Sequence, residues 1–135
     1  MSVPEDLIAA AREARANAHA PYSGYAVGAA LRTANGHVHK GCNVENASFP
    51  EGCCAETAAI AAMVSAGESA IAEIAILGPD ASETLPCGGC RQRLAEFGSA
   101  DLAVHTRDRS GAWRTMTLGE LLPHAFALGP GGATR

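Results

Sequence analysis

The run Ile71 to Pro79, "IAEIAILGP", constrains the fold most. It is short, rich in β-branched residues and almost free of polar alternation, so it reads as a strand covered on both faces and central to its sheet. Covering both faces takes helices, and the flanking segments supply them. "ETAAIAAMVSAG" before it is apolar nearly all round, follows Pro50, and reaches Gly67 where a left-handed cap would sit, which predicts a buried helix. "CGGCRQRLAEFG" after it sets Leu94 and Phe97 three apart on one face, with Gly98 to end a further helix.

The remaining segments fill in the layers. Between Pro4 and Ala20, residues Leu7, Ile8, Ala11, Ala14 and Ala18 share a helical face. Two runs in "YAVGAALRTANGHVHKGCNV" flank Ala34 to Gly36, whose Asn-Gly suits a hairpin turn. "DLAVHTRD" and "WRTM" read as strands around the turn residues "RDRSG", and "LGELLPHAF" as a short helix stopped by Pro123. The tail "GPGGATR" is too Gly-rich to order by itself. The order of elements predicts an α/β fold, a three-layer sandwich with a mixed five-stranded sheet and helices on both faces. At 135 residues, one domain spanning 1–135 is expected.

Charge and composition narrow the partners. No apolar run approaches the roughly 20 residues of a membrane helix, so a soluble protein with no membrane partner is expected. The opening "MSVPEDLIAAAREARANAHA" lacks the basic head and apolar middle of a secretory signal, which points to the cytoplasm. The net charge is −4, and the nine arginines and Lys40 are dispersed, which disfavours nucleic acid and suits a small neutral substrate. Five cysteines, an odd count in a reducing compartment, point away from disulfides and towards metal or catalytic thiolates.

Four of those cysteines stand in two places, "CCAET" and "PCGGC". Cys87 and Cys90 form a C-x-x-C pair at a predicted helix start, where free N–H groups and the helix dipole favour thiolates. A third ligand can come from Cys53 or Cys54 at the mouth of the buried helix, since one helix and one strand return the chain to the same end of the sheet. Three thiolates on zinc leave the fourth position open, and two helix N-termini offset the net −1 centre. Glu56 can move protons at such a site. Residues two apart on a helix differ by about 200°, so Cys54 and Glu56 can share a site only at the helix mouth. A C-x-x-C alone also serves redox sites and structural zinc knuckles, but a redox motif does not account for the distant Cys-Ala-Glu. If Cys53 and Cys54 both bound metal, four thiolates would close the site, although adjacent residues chelate one ion poorly.

The pattern C-A-E-x29-P-C-x-x-C resembles the zinc nucleoside and nucleobase deaminases. Through "PYSGYAVGAAL", "GCNVENASFP", "CCAET", "PCGGCRQ" and "ELLPHAF" the chain is similar to the small cytidine deaminases of the homotetrameric type. The resemblance implies one zinc per subunit on Cys54, Cys87 and Cys90, with Cys53 a bystander. It makes Glu56 the proton shuttle, serving N3 of cytosine and then the leaving amine as water adds at C4. It implies that Asn43 and Glu45 hold a ribose hydroxyl, and that the loop from Asn43 through Val44, Asn46, Ala47, Ser48 and Phe49 lines the nucleoside pocket. Further, the backbone N–H of Ala55 would donate to the base, and Tyr25 and Phe126 would flank it. Phe126 would come from a neighbouring subunit, which puts the active sites at the interfaces of a homotetramer working in pyrimidine salvage.

The chemistry of the residues bears on the substrate. A carboxylate and an amide suit a sugar hydroxyl and a negative charge repels phosphate, so cytidine and 2′-deoxycytidine are expected rather than nucleotides. On local sequence alone the asparagines of "NVENAS" could merely cap turns, and Tyr25 and Phe126 could be core aromatics. Thr57 stands where many family members carry arginine, which leaves Arg91 or the helix dipoles to offset the thiolate charge. A deaminase of a cytosine-bearing antibiotic such as blasticidin S, a zinc-stabilised binding domain and a polynucleotide-editing deaminase are the rivals, and Asn43 with Glu45 favours the plain nucleoside. His19, His37, His39, His105 and His124 lack zinc-ligand spacing to the cysteines and need no role.

Overall fold

A computed structural model of the chain describes residues 2–129. In chain order the elements are α1 Glu5–Ala16, β1 Gly28–Thr33, β2 Val38–Cys42, α2 Ala55–Ser65, β3 Ile71–Leu77, α3 Gly88–Phe97, β4 Ala103–Arg107, β5 Trp113–Thr117 and α4 Leu118–Leu121. The apolar run at 71–77 is the middle strand of a five-stranded sheet, ordered β2-β1-β3-β4-β5. Three pairings are antiparallel, and β3 pairs with β4 in parallel. A parallel pair needs a crossover, and α3 is that crossover.

Alternate residues of the strands feed two cores. Ala29 and Leu31 of β1 and Ile74 and Ile76 of β3 pack with Ala59 and Met63 of α2, Leu94 of α3 and Leu118 of α4. The opposite register, Ala30 with Ala75 and Leu77, packs on Leu7 and Ala11 of α1. The result is the expected three-layer sandwich with helices on both faces. Two glycines bring the outer layers close to the sheet. A Cβ on Gly28 would lie 1.9 Å from the Ala11 carbonyl oxygen of α1, and one on Gly41 would lie 2.4 Å from the Ala59 backbone nitrogen of α2.

The structure departs from the sequence reading at two points. First, α1 ends at Ala16, short of Ala20, because His19 N–H donates to the Asn43 carbonyl and Glu45 N–H to the His19 carbonyl, drawing this segment onto a distant loop. Second, α2 is buried on one face only: Ala59 and Met63 are fully covered, whereas Ala61 and Ala62 are exposed and Val64 is 47% exposed. Gly98 ends α3 as expected, in an extended conformation (φ −141°). What demands glycine there is space, since a Cβ would fall 2.1 Å from Leu102 Cδ1. Gly67, by contrast, has the left-handed φ of 91° expected of it. Most of the Gly-rich tail lies outside the described residues. Among these, no helix is long and apolar enough to cross a membrane.

Polar ties hold the hairpin and the open side of the sheet. The Glu68 carboxylate, just beyond α2, meets Asn35 Nδ2 at 3.1 Å, His37 Nδ1 at 3.1 Å and His39 Nε2 at 3.0 Å. Hydrogen bonding, from His39 above all and then Thr33, Asn35 and His37, holds this carboxyl down at about 2. Fully buried His105 bridges Glu73 at 2.8 Å and Thr115 at 2.7 Å. These histidines are satisfied within the fold, as the sequence reading expected.

Two outcomes are expected. Gly41→Ala forces α2 off the sheet and lowers the unfolding free energy by about 3 kcal/mol, read by urea denaturation; an unchanged midpoint would contradict the close packing. Glu68 has a folded pKa below its usual value of 4.5, so its charged form stabilises the fold above that value and the contribution is lost as pH falls through about 2. The melting-temperature gap between the parent and Glu68→Gln should therefore be open at neutral pH and close over that acid window.

Candidate active site

The connectivity brings both cysteine motifs to one end of the sheet. α2 runs back along the sheet before β3, and the loop after β3 opens α3, so the N-terminus of α2 and that of α3 meet beyond the carboxyl end of β3. Cys54 is the N-cap of α2 and Cys87 the N-cap of α3, with Cys90 in the first turn of α3. The three sulfurs lie within 4.8 Å of one another, and Cys54 and Cys87 are 3.8 Å apart. Tetrahedral Zn–S bonds of about 2.3 Å place ligand sulfurs about 3.8 Å apart, so the donor set fits zinc. Among the described residues no fourth Cys, His, Asp or Glu joins the cluster. Cys53 faces elsewhere in the chain's bonding: its N–H and C=O pair with Val44. The closed four-thiolate arrangement is thus not formed.

Electrostatics follow from the burial of these groups. Burial, and then Cys87, pushes the Cys54 thiol up. Burial, and then the Glu56 charge, pushes Cys90 up. At Cys87 burial acts the same way but is outweighed by hydrogen bonding from the Cys90 backbone and the other two thiols, and its pKa falls. An incoming cation therefore displaces protons from these sulfurs, and binding tightens as pH rises. Glu56, the second residue of α2, is 4% exposed, and burial raises its carboxyl above the usual range against opposing pulls that include the charge of Arg93. A carboxyl whose proton affinity is raised, beside a cluster of metal-ligating sulfurs, suits proton transfer in both directions.

Arg91 does not face the sulfurs. Its guanidinium donates to the carbonyls of Pro86 and Leu121, each at 2.9 Å, and ties α3 to α4. The side chains that reach Cys90 Sγ are Thr57, at 3.9 Å, and Arg93, whose Nη1 donates at 3.7 Å.

A loop is stitched alongside this centre. Val44 N–H donates to the Cys53 carbonyl at 3.0 Å and Cys53 N–H to the Val44 carbonyl at 2.9 Å, while His19 holds the loop's other edge. This fixes Asn43 and Glu45 next to Cys54 around a cavity of about 500 Å³, within the range of small-molecule sites. Asn43, Val44, Glu45, Asn46, Phe49, Cys53 and Cys54 line it, together with Tyr22 and Ser23. Glu45 Oε1 accepts the N–H groups of Tyr22 (3.0 Å) and Ser23 (3.1 Å), and Oε2 accepts the Ser23 hydroxyl. These bonds, the Ser23 hydroxyl first, hold its carboxyl below the usual range, so the group is a fixed anion. Asn43 accepts from Val27 N–H and donates to the Tyr25 carbonyl, each at 2.8 Å, which leaves one acceptor site and one proton on its amide. Asn46 caps a turn by accepting from Ser48 N–H at 2.8 Å.

The other expected residues fall outside this cavity's lining. Ala55 is buried as the first residue of α2. Ala47 and Ser48 lie exposed beyond the lining. Tyr25 hydrogen-bonds Thr84 at 2.5 Å through its hydroxyl. Phe126, whose carbonyl accepts from Gln92 Nε2, exposes 66% of its surface. Tyr25 and Phe126 are thus surface aromatics rather than core ones. Sequence reasoning gave no role to Tyr22, Ser23 or Arg93. The turn-forming "PYSG" was the signal for the first two, and the i, i+3 spacing from Cys90 the signal for the third.

Three clustered protein sulfurs beside a buried carboxyl are the donor set of a zinc hydrolase. The family described as the cytidine and deoxycytidylate deaminase zinc-binding region matches residues 1–106, a span holding all three cysteines and Glu56. The cytidine deaminase of Sporosarcina psychrophila is 37% identical over 123 residues, 91% of this chain and 90% of that protein. That of Halalkalibacterium halodurans is 41% identical over 120 residues, 89% of this chain and 91% of that protein. The crystal structure of cytidine deaminase from Burkholderia pseudomallei matches with a TM-score of 0.85 at 43% identity, covering 93% of this chain and 100% of that one. The chain belongs to the cytidine and deoxycytidylate deaminase family.

Metal analysis of cysteine variants tests the ligand set. Cys54→Ser and Cys90→Ser are expected to lose most of the zinc, and Cys53→Ser to keep about one ion per chain. Loss on Cys53→Ser with retention on Cys54→Ser would reverse the assignment.

Proposed function

We propose that this protein is a zinc-dependent cytidine deaminase that converts cytidine and 2′-deoxycytidine, with one water, to uridine and 2′-deoxyuridine plus ammonia. The observation that carries the reading is the buried Glu56 carboxyl at the mouth of α2, beside three clustered sulfurs and next to a cavity holding a fixed anion, Glu45. Zinc on Cys54, Cys87 and Cys90 supplies the Lewis acidity that makes water nucleophilic near neutral pH.

The chain's own groups do the rest. Glu56 takes a proton from the adding water and delivers it to N3 of the pyrimidine, then takes the second proton from the hydroxyl now on C4 and passes it to the amine, which departs as ammonia; burial raises the proton affinity of its carboxyl. The backbone N–H of Ala55 orients the base. Glu45 and Asn43 orient the sugar through a hydroxyl: three loop donors already fix the Glu45 carboxylate, so it recognises a ribose without rearranging. The same anion repels a phosphate, which selects nucleosides over nucleotides. The edge-to-face pair Tyr22 and Phe49, ring centroids 5.9 Å apart, supplies apolar surface at the cavity that excludes water.

Assembly completes the pocket. Phe49 and Phe126 are 75% and 66% exposed, and the outer face of α2 presents Ala61, Ala62 and Val64 to solvent. Apolar surface of this kind supports a homotetramer in which Phe126 of one subunit closes the site of the next, with Tyr25 at its rim. The chain works as one catalytic domain over 1–135, and its five free cysteines suit the reducing cytoplasm, where the reaction serves pyrimidine salvage.

The test is the ultraviolet absorbance change on adding cytidine to zinc-loaded protein. Glu56→Gln should keep its zinc while kcat falls by about 10³-fold. Activity equal to the parent, or turnover of blasticidin S with none of cytidine, would overturn the reading.

A further inference from the structure

Loading a divalent ion onto three neutral thiols, with release of their protons, leaves the centre with a net charge of −1. That charge develops at sulfurs of which one is buried and one half-buried, so a cation nearby favours the loaded form over the empty one. Helix N-termini contribute only partial charges. Arg91 is committed to the backbone carbonyls of Pro86 and Leu121, and Thr57, which also reaches Cys90 Sγ, is neutral.

Arg93 has the geometry for the task. It stands three residues after Cys90, and side chains on a helix lean back over the preceding turn, so its guanidinium returns to the sulfur and donates Nη1 at 3.7 Å. Gly89 makes the bed for it: a Cβ there would sit 3.0 Å from Nη1 and 3.7 Å from Cζ. No carboxylate among the described residues lies within salt-bridge distance of Arg93; its charge is felt by the Glu56 carboxyl, and its one side-chain hydrogen bond goes to the Cys90 sulfur.

We propose that Arg93 is the positioning residue that offsets the charge of the three thiolates and holds Cys90 Sγ in place, from α3, while the neutral Thr57 leaves that duty open on α2. The bare Gly89 between Cys87 and Cys90 is part of the device. By drawing charge from the sulfurs, Arg93 both strengthens zinc retention and leaves the ion a stronger Lewis acid. Its use for the rate rests on the deaminase reading; its use for metal retention does not.

Zinc retention is read by chelator competition at neutral pH, without substrate, on the full-length protein. Arg93→Gln is expected to release zinc about tenfold more readily, and to lower kcat for cytidine about tenfold with little change in KM, as for loss of one charged hydrogen bond near the surface. Thr57→Arg added to Arg93→Gln brings a guanidinium to the same sulfur from the other helix and should restore both. Gly89→Ala, a better helix former, keeps the charge but displaces the guanidinium, so zinc retention should drop while thermal stability does not. Unchanged retention in Arg93→Gln, or a loss that Thr57→Arg leaves unrepaired, overturns the inference. If Arg93→Gln loses zinc but the parent does not turn over cytidine, the deaminase reading falls and the role of Arg93 stands.

Discussion

Three sulfurs held within 4.8 Å of one another are the constraint to which the rest of this structure answers. Ionising them together is unfavourable until a cation arrives, because thiolates repel one another and burial opposes their charge. The fold prepares the meeting by aiming two helix N-termini at one point, with Cys54 and Cys87 as their N-caps. That point exists because α2 and β3 run back and forth across the sandwich and because Gly28 and Gly41 allow helices on both faces to lie close to the sheet. Stability and chemistry therefore share the same elements, and Glu56, buried beside the sulfurs, also has a raised carboxyl pKa.

Around this centre, backbone pairing does what side-chain packing does elsewhere. The short bridges of Val44 to Cys53 and to His19 carry the 43–49 loop to the edge of the metal ligands. Glu45 then locks the 22–23 turn with three hydrogen bonds, and Asn43 locks residues 25 and 27. A polar floor so cross-linked loses little freedom when a ligand arrives, which is the physical meaning of preorganisation. Phe49, at the cavity, and Phe126, outside its lining, remain exposed.

Periodicity and local chemistry made the layers readable. The unalternating run at 71–77, the Asn-Gly hairpin and the α2 and α3 segments were legible because each signal is confined to a dozen residues. The metal ligands were legible for a related reason: cysteines in a chain with no disulfide framework have few other uses. What sequence could not show depended on contacts between distant segments. The truncation of α1 at Ala16, the bridges of Val44 and the anchoring of Glu45 by Ser23 all arise from partners about 10 to 25 residues away, where spacing carries no information. Sequence reasoning named Arg91 as the compensating charge and passed over Arg93, because only the direction of each side chain shows which of them reaches Cys90 Sγ. Composition also overstated the burial of α2, since an alanine-rich helix reads as core whether or not anything covers its outer face.

The central claim is that the ion is held by three sulfurs and leaves its fourth position free for chemistry. X-ray absorption at the zinc edge of the loaded protein measures this directly. Three sulfur scatterers at about 2.3 Å and one lighter scatterer are predicted. A shell of four sulfurs would contradict the account, because the carboxyl of Glu56 would then have no water to work on.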